Sequence, residues 1–313
     1  MISMTNKSMS PKKKEPIIRS LKRSWQWYVL LLPALIHLLI FAYGPMYGLQ
    51  IAFKDFRPSK GIWGSEWVGL KHFISFVENP MFWKLLKNTL SITLYSLALF
   101  PIPIIFALFL NEVKNAKFKK TVQMLTYMPH FITEIVVCSI VILFLDRTSG
   151  PINRLITLFG GEAQNFLGMP GAFPSIMVWS GLWQGLGWGS ILYISALASI
   201  STELIEAAKI DGASRYKIMW HVNIPGILPT ILINFLLRIG GILGLGHTKI
   251  LLLQNDLNLE TSQVISTYIY EMGLKGAKFS YASAIGMFNT LVGLCILLIV
   301  NAITKKLSGT GLF

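Results

Sequence analysis

Long apolar runs separated by shorter basic and polar stretches set the pattern of this chain. A helix needs about 20 mostly apolar residues to cross the hydrocarbon layer of a bilayer. Six stretches have that length: residues 27–48, 88–110, 122–145, 174–200, 227–245 and 282–303. They predict an all-α fold, a polytopic membrane helical bundle of about six spans. The third run carries Pro129, His130 and Glu134, and the fourth is rich in Gly and Trp, so these two are the least clean. Pro101 and Pro103 predict a kink in the second span, because proline lacks an amide donor and clashes with the carbonyl one turn back. In lipid the freed carbonyls need protein partners, so kinked spans imply a packed bundle.

Lys and Arg in alternate connections set the orientation. Residues 1–26, 111–121, 201–226 and 304–313 hold sixteen over 73 positions, whereas 49–87, 146–173 and 246–281 hold eleven over 103. The denser set is predicted to face the cytoplasm, together with both termini. Residues 1–26 read as a basic cytoplasmic tail resting on anionic lipid, and 27–313 as a single transmembrane domain. The first apolar run is too long for a signal-peptide core and is expected to stay as the first span. Residues 66–88 alternate aromatic and aliphatic positions, which predicts one or two short helices lying in the interface.

Composition supports the bilayer. Hydrophobic residues make up 53% and charged residues 13%, against about 25% charged in soluble domains. The net charge of +14 does not point to nucleic acid, because the basic residues punctuate apolar runs and form no single soluble face. Cys138 and Cys295 both fall inside apolar runs and read as small buried hydrophobes.

Motifs for catalysis fail. The nearest approach to a phosphate-binding loop, Gly241 to Gly246, is followed by His247 where lysine is required, and it trails an apolar span instead of a strand. No Ser/His/Asp order and no H-E-x-x-H pattern occurs. His130 and Glu134, four residues apart, allow a proton relay or a buried pair facing the bundle interior. The chain reads as no enzyme, without metal or cofactor of its own, and its driving energy must come from elsewhere.

Residues 201–229, STELIEAAKIDGASRYKIMWHVNIPGILP, are the most informative segment. Ser201 or Thr202 can cap a helix with Glu203 in its first turn. Asp211-Gly212 ends that helix, since glycine accepts the left-handed conformation of a C-terminal stop. A second helix is predicted from Ala213 to about His221, and Pro225 is expected to reset the chain before span five. Two ordered polar helices between spans offer a surface for a cytoplasmic partner.

This segment resembles the coupling loop of bacterial ABC importer permeases, E-A-A-x3-G-x9-I-x-L-P. Glu206, Ala207, Ala208, Gly212 and Pro225 stand in register, and the two aliphatic positions are conservatively changed to Val222 and Ile224. In that family the loop seats in a groove on the ATPase, and the resemblance implies that Glu206, Ala207, Ala208, Asp211, Gly212 and Pro225 do so here. The run from Glu206 through Asp211-Gly212-Ala213 is similar to carbohydrate-importer permeases, as is 68–73 leading through Phe82-Trp83 to Asn88-Thr89. Tyr43 to Gly48, Ala52 to Asp55 and Tyr127 to Phe131 resemble a branch serving complex oligosaccharides such as alginate, rhamnogalacturonan or aldouronate fragments. Glu134 departs from that branch, where a small polar residue is expected. The resemblance implies a second permease subunit, two ATPase subunits carrying ATP and Mg, and an extracytoplasmic sugar-binding protein.

For the solute path, Arg238 falls about 12 residues into span five, roughly 18 Å along the helix and near mid-membrane. A charge there must face the interior, to bind a substrate carboxylate or to pair with Glu134 or backbone carbonyls. Asn234 shares its face. Trp183, Gln184, Trp188 and Tyr193 in span four supply stacking surfaces and hydrogen bonds of the kind sugars use, although Trp and Tyr also gather at interfaces without a ligand. Asn289 in span six completes the set. Two other readings stay open: an ion-driven secondary carrier, which predicts internal repeats not found here, and an ABC permease for a non-sugar solute.

Overall fold

The computed structural model describes residues 24–308, so of the basic tail only Ser24, Trp25 and Gln26 are included. The chain divides into two compact units, Met1–Gln50 and Ile51–Phe313. The first span is a helix, α1, of 29 residues (Trp25–Phe53). It widens into a π turn at Leu39–Tyr43, directly before Pro45, and tightens to 3-10 geometry over Tyr47–Phe53. The apolar residues Leu49, Ile51, Ala52 and Phe53 carry it past the predicted end at 48, and Lys54 stops it.

The second unit opens with a two-stranded antiparallel ribbon that the apolar pattern does not show. It pairs β1 (Lys54–Asp55) with β2 (Glu66–Trp67) in the register Lys54↔Trp67 and Asp55↔Glu66. A short helix follows, α2 (Lys71–Val77). The other half of the expected interfacial segment is instead the start of the second span, α3 (Phe82–Glu112). Phe82, Leu85, Asn88, Thr89, Ile92 and Thr93 are its buried residues, the three-and-four spacing of one helix face. The proline kink takes the form of a short interruption at Leu99–Phe100, after which Pro101 opens the second stretch of the same rod.

The third run departs most from expectation. Residues 122–145 do not form one straight span. The helix α4 (Ala116–Phe131) and the helix α5 (Glu134–Leu145) meet at 103°. Pro129 sits in a 3-10 turn, and Thr133 begins a new helix by accepting the Val136 amide. A stop signal and a start signal therefore lie inside one apolar run. After α6 (Pro151–Leu158) comes α7 (Phe173–Ala198), 26 residues and about 39 Å long. It turns by 74° into α8 (Thr202–Ile210).

Helix α9 (Arg215–Gly240) also corrects the reading. Pro225 does not break the chain between a coupling helix and span five. The π turn Met219–Asn223 precedes it, and the helix runs on. A proline needs no donor of its own, and a widened turn relieves its clash with the carbonyl behind it. The helix ends at Gly240, five residues short of the predicted 245. Helices α10 (His247–Leu253), α11 (Ile265–Tyr270) and α12 (Phe279–Ser308) complete the chain. Among the described residues α1, α3, α9 and α12 are long and apolar enough to cross a membrane, and counting each bent pair as one span gives six.

Three apolar clusters hold the second unit. Phe100, Ile104 and Leu108 meet Tyr193, Leu197 and Ile227. Ile92 meets Cys138, Phe173, Val178 and Ile250. Phe76, Phe82 and Leu85 meet Ile265, Tyr268 and Ile285. Helix α3 contributes to all three. Cys138 is buried as expected, but Cys295 is exposed on α12.

Two outcomes follow from these contacts. A Cβ on Gly187 of α7 would strike the backbone of Thr126 and come within 2.7 Å of the Tyr127 ring on α4. Gly187→Ala should therefore cost about 1–3 kcal/mol through overpacking, seen as a lower apparent Tm of the purified protein; an unchanged Tm would show that α4 and α7 are not held at this crossing. Beyond the end of α5, Asp146 accepts from the amides and hydroxyls of Thr148 and Ser149. The Ser149 amide and hydroxyl, then Thr148, hold its carboxyl well below the usual carboxylate range. A lowered folded value means the turn is at full strength above the unfolded value near pH 4 and is lost only as pH falls through the lowered one. A carbon-13 titration of Asp146 should show no inflection near pH 4.

Candidate functional site

The loop between α7 and α9 is built as the sequence reading expects. The Ser201 hydroxyl accepts from the Glu203 amide (3.2 Å) and caps α8. At its far end Gly212 adopts φ +75°. Its amide donates to the Lys209 carbonyl (3.1 Å), and the Ala213 amide donates to the Ala208 carbonyl (2.9 Å), the paired bonds of a Schellman stop. Ser214 then caps the first turn of α9. Glu206, Ala207, Asp211, Gly212 and Pro225 are exposed and Ala208 is half-buried. Around them Ile210 is 86% exposed and Tyr216 73%, a large apolar area for a segment of this polarity. The expected second helix begins at Arg215 instead of Ala213 and is continuous with span five.

Four of the seven solute-path residues share one cavity. Trp188, Tyr193, Asn234 and Arg238 line a space of about 590 Å³ between α7 and α9, closed by Phe100 and Pro103 of α3. Arg238 lies in the last turn of α9 and not at its middle, because the helix starts at Arg215, twelve residues ahead of the predicted 227, and stops at Gly240, five short of the predicted 245. Its guanidinium donates to the carbonyl (3.2 Å) and hydroxyl (2.8 Å) of Ser96 and stands 6.0 Å from the Phe100 ring centre. The partner foreseen as a backbone carbonyl is thus Ser96, and no ion pair joins Arg238 to Glu134 among the described residues. Asn234 donates to the Thr230 carbonyl one turn back (2.8 Å).

The other three lie elsewhere. Trp183 lines a separate, apolar cavity with Ile140, Phe144 and Trp179. Gln184 donates to the Ile132 carbonyl (3.0 Å), which the sharp turn between α4 and α5 leaves without a helical partner. Asn289 donates to the Leu243 carbonyl (3.0 Å), just past the end of α9. His130 and Glu134 are not a buried pair. They sit on either side of the 103° turn and both are exposed. The His130 ring stacks on Trp188, with centroids 4.4 Å apart and planes at 7°.

Sequence reasoning passed over two residues. Ser96 gives no signal in one sequence, because its role depends on a helix 142 positions away. Lys249 was counted with the outer-loop basic residues but is 5% exposed on α10. Its ammonium lies over Gly181 of α7, with Cys138 and Glu134 as its electrostatic neighbours. Its burial leaves the outer set still poorer in solvated charge.

Fold and site together define a polytopic membrane permease, with a capped and exposed helix pair on one end and an aromatic and amide cavity between its helices. The sequence pattern of the family described as binding-protein-dependent transport system inner membrane component matches residues 99–309, and the chain belongs to that family. It is 43% identical over 303 residues to the polygalacturonan/rhamnogalacturonan transport system permease protein YteP of Bacillus subtilis, covering 96% of this chain and 94% of the relative. Protein LplB of the same organism is 43% identical over 295 residues, 94% of this chain and 93% of that one. A solved bacterial ABC transporter involved in the import of the acidic polysaccharide alginate contains a chain with TM-score 0.86 and 38% identity, covering 93% of this chain and 99% of that one. The alginate transporter solved with its alginate pentasaccharide-bound periplasmic protein gives a TM-score of 0.87 at 38% identity, over 95% and 100%.

Proposed function

We propose that this chain is one permease subunit of a bacterial ATP-driven importer of oligosaccharides, with both termini in the cytoplasm. The observation that carries the proposal is similarity along the whole chain to permeases for polygalacturonan/rhamnogalacturonan and alginate. A second, similar permease completes the path, two ATPase subunits supply the energy, and an extracytoplasmic binding protein delivers the sugar. Residues 201–229 dock on an ATPase. The capped α8 with its exposed Glu206 and Ala207 supports this, as does the direct run from the loop into span five. A rigid connection lets closure of the ATPases on ATP move α7 and α9 together, and each nucleotide state then favours a different opening of the path. Trp188, Tyr193, Asn234 and Arg238 line that path. Arg238 receives the carboxylate of an acidic sugar, a role supported by its exposure within the cavity and its matching charge.

Affinity purification of the tagged chain from its native membrane should recover a second permease and an ATPase; recovery of the chain alone, in mild detergent with ATP present, would sink the importer reading. The double variant Glu206→Ala, Gly212→Val should lose the ATPase. A Cβ at Gly212 meets no atom within 4 Å, so the damage comes from a left-handed backbone costing about 1–2 kcal/mol and from bulk at the docking face. Arg238→Gln should slow uptake of a uronate oligomer about tenfold or more, the scale of one lost charged contact, while ATPase binding stays normal. Full uptake by that variant would remove Arg238 from the path.

A further inference from the structure

A second polar cavity lies apart from the four path residues and is lined by residues 55–79 and 268–281. Its volume is about 470 Å³, inside the roughly 300–1,000 Å³ range of small-ligand pockets. Strand β1, helix α2, helix α11 and the start of α12 enclose it, in segments the basic-residue count places outside. Its walls differ in kind from the hydrocarbon-lined cavities beside Trp183 and beside Tyr216. Here Asp55, His72, Ser75, Asn79, Tyr268 and Lys278 converge with two aromatic pairs.

The polar groups are fixed in place. The Asn79 amide donates to the hydroxyls of Tyr268 and Tyr281, both at 3.2 Å, while its oxygen accepts from the Met81 amide (2.8 Å). His72 Nε2 donates to the Lys54 carbonyl (3.1 Å), which fixes the ring against the ribbon. The Phe56 amide donates to Ser280 Oγ (2.9 Å) and ties the ribbon to α12. Tyr268 and Tyr281 meet edge-on at 6.3 Å, and Phe56 and Phe279 at 6.1 Å. Ala277 holds φ 51°, a left-handed conformation that a side chain adopts only when its surroundings enforce it, and it directly precedes Lys278 in the lining. Aromatic edges for carbon-bound hydrogens, an amide and hydroxyls for ring hydroxyls, and the exposed Lys278 ammonium for a carboxylate make up the chemistry of a uronate-containing sugar unit, while the Asp55 carboxylate in the lining is offset by Arg57 at 3.6 Å.

We propose that this cavity is an entry subsite that holds one end of an acidic oligosaccharide before it passes between the helices. The inference rests on the importer reading and adds a second binding place to it. The test uses the assembled complex in nanodiscs, with tetragalacturonate as probe and saturation-transfer NMR as the readout. Ser75 is exposed on the lining, so Ser75→Trp fills the cavity without entering the packed core. That variant should weaken tetragalacturonate binding about tenfold or more. Lys278→Gln should weaken tetragalacturonate and leave its methyl ester unaffected, and it decides the matter if Ser75→Trp fails to assemble. Equal binding by wild type and both variants would overturn the subsite, as would no binding by wild type. Loss of sugar-free binding protein with unchanged sugar affinity would overturn it too, marking a protein contact. Uptake in proteoliposomes is measured beside it: absent uptake by wild type sinks the importer reading, while the binding comparison still decides the subsite.

Discussion

In a bilayer every backbone amide and carbonyl must find a protein partner, and most of the polar chemistry inside this bundle answers to that constraint. The spans are interrupted or widened near Pro45, Pro101, Pro129 and Pro225, whereas Pro33 and Pro229 are carried inside their helices, and each interruption exposes carbonyls that lipid cannot satisfy. Gln184 closes the break at Ile132, Asn289 the end of α9 at Leu243, and Arg238 the loosened turn of α3 at Ser96. Asn88 does the same for Glu260 and Gln263 at the short segment before α11. The π turns before Pro45 and Pro225 solve the problem within the helix itself. A polar residue in a span is therefore first a backbone partner. Asn234 and Arg238 are backbone partners that also line a cavity, together with the rings of Trp188 and Tyr193.

The same economy gives the fold its mechanical form. Helix α3 enters all three apolar clusters, so α2, α5, α7, α9, α10, α11 and α12 are each packed on it directly or through one neighbour. The loop between α7 and α9 is ordered for a different reason. Its helix is capped at both ends by its own chain, and after the turn 211–214 the rest of the loop is helical and continuous with span five in α9. Membership in a binding-protein-dependent transport family fits a helical membrane chain whose sequence carries no phosphate-binding loop.

The number and order of the apolar runs, the caps of α8 and the left-handed Gly212 were legible in the residues, because each depends on neighbours within one or two turns. Hydropathy counts apolar residues and is blind to direction, so it read 122–145 as one span where Pro129 and Thr133 turn the chain by 103°. It also placed Arg238 by distance from an assumed helix start, and the start moved once α9 proved continuous from Arg215. Which candidates share a cavity is a matter of contacts between helices more than 40 positions apart, as for Trp188 with Asn234, and no local pattern records them. The sequence by itself determined the solvent, the number and order of the apolar runs and the capped loop. Only tertiary packing decided which polar side chains repair the backbone and which are left facing open space.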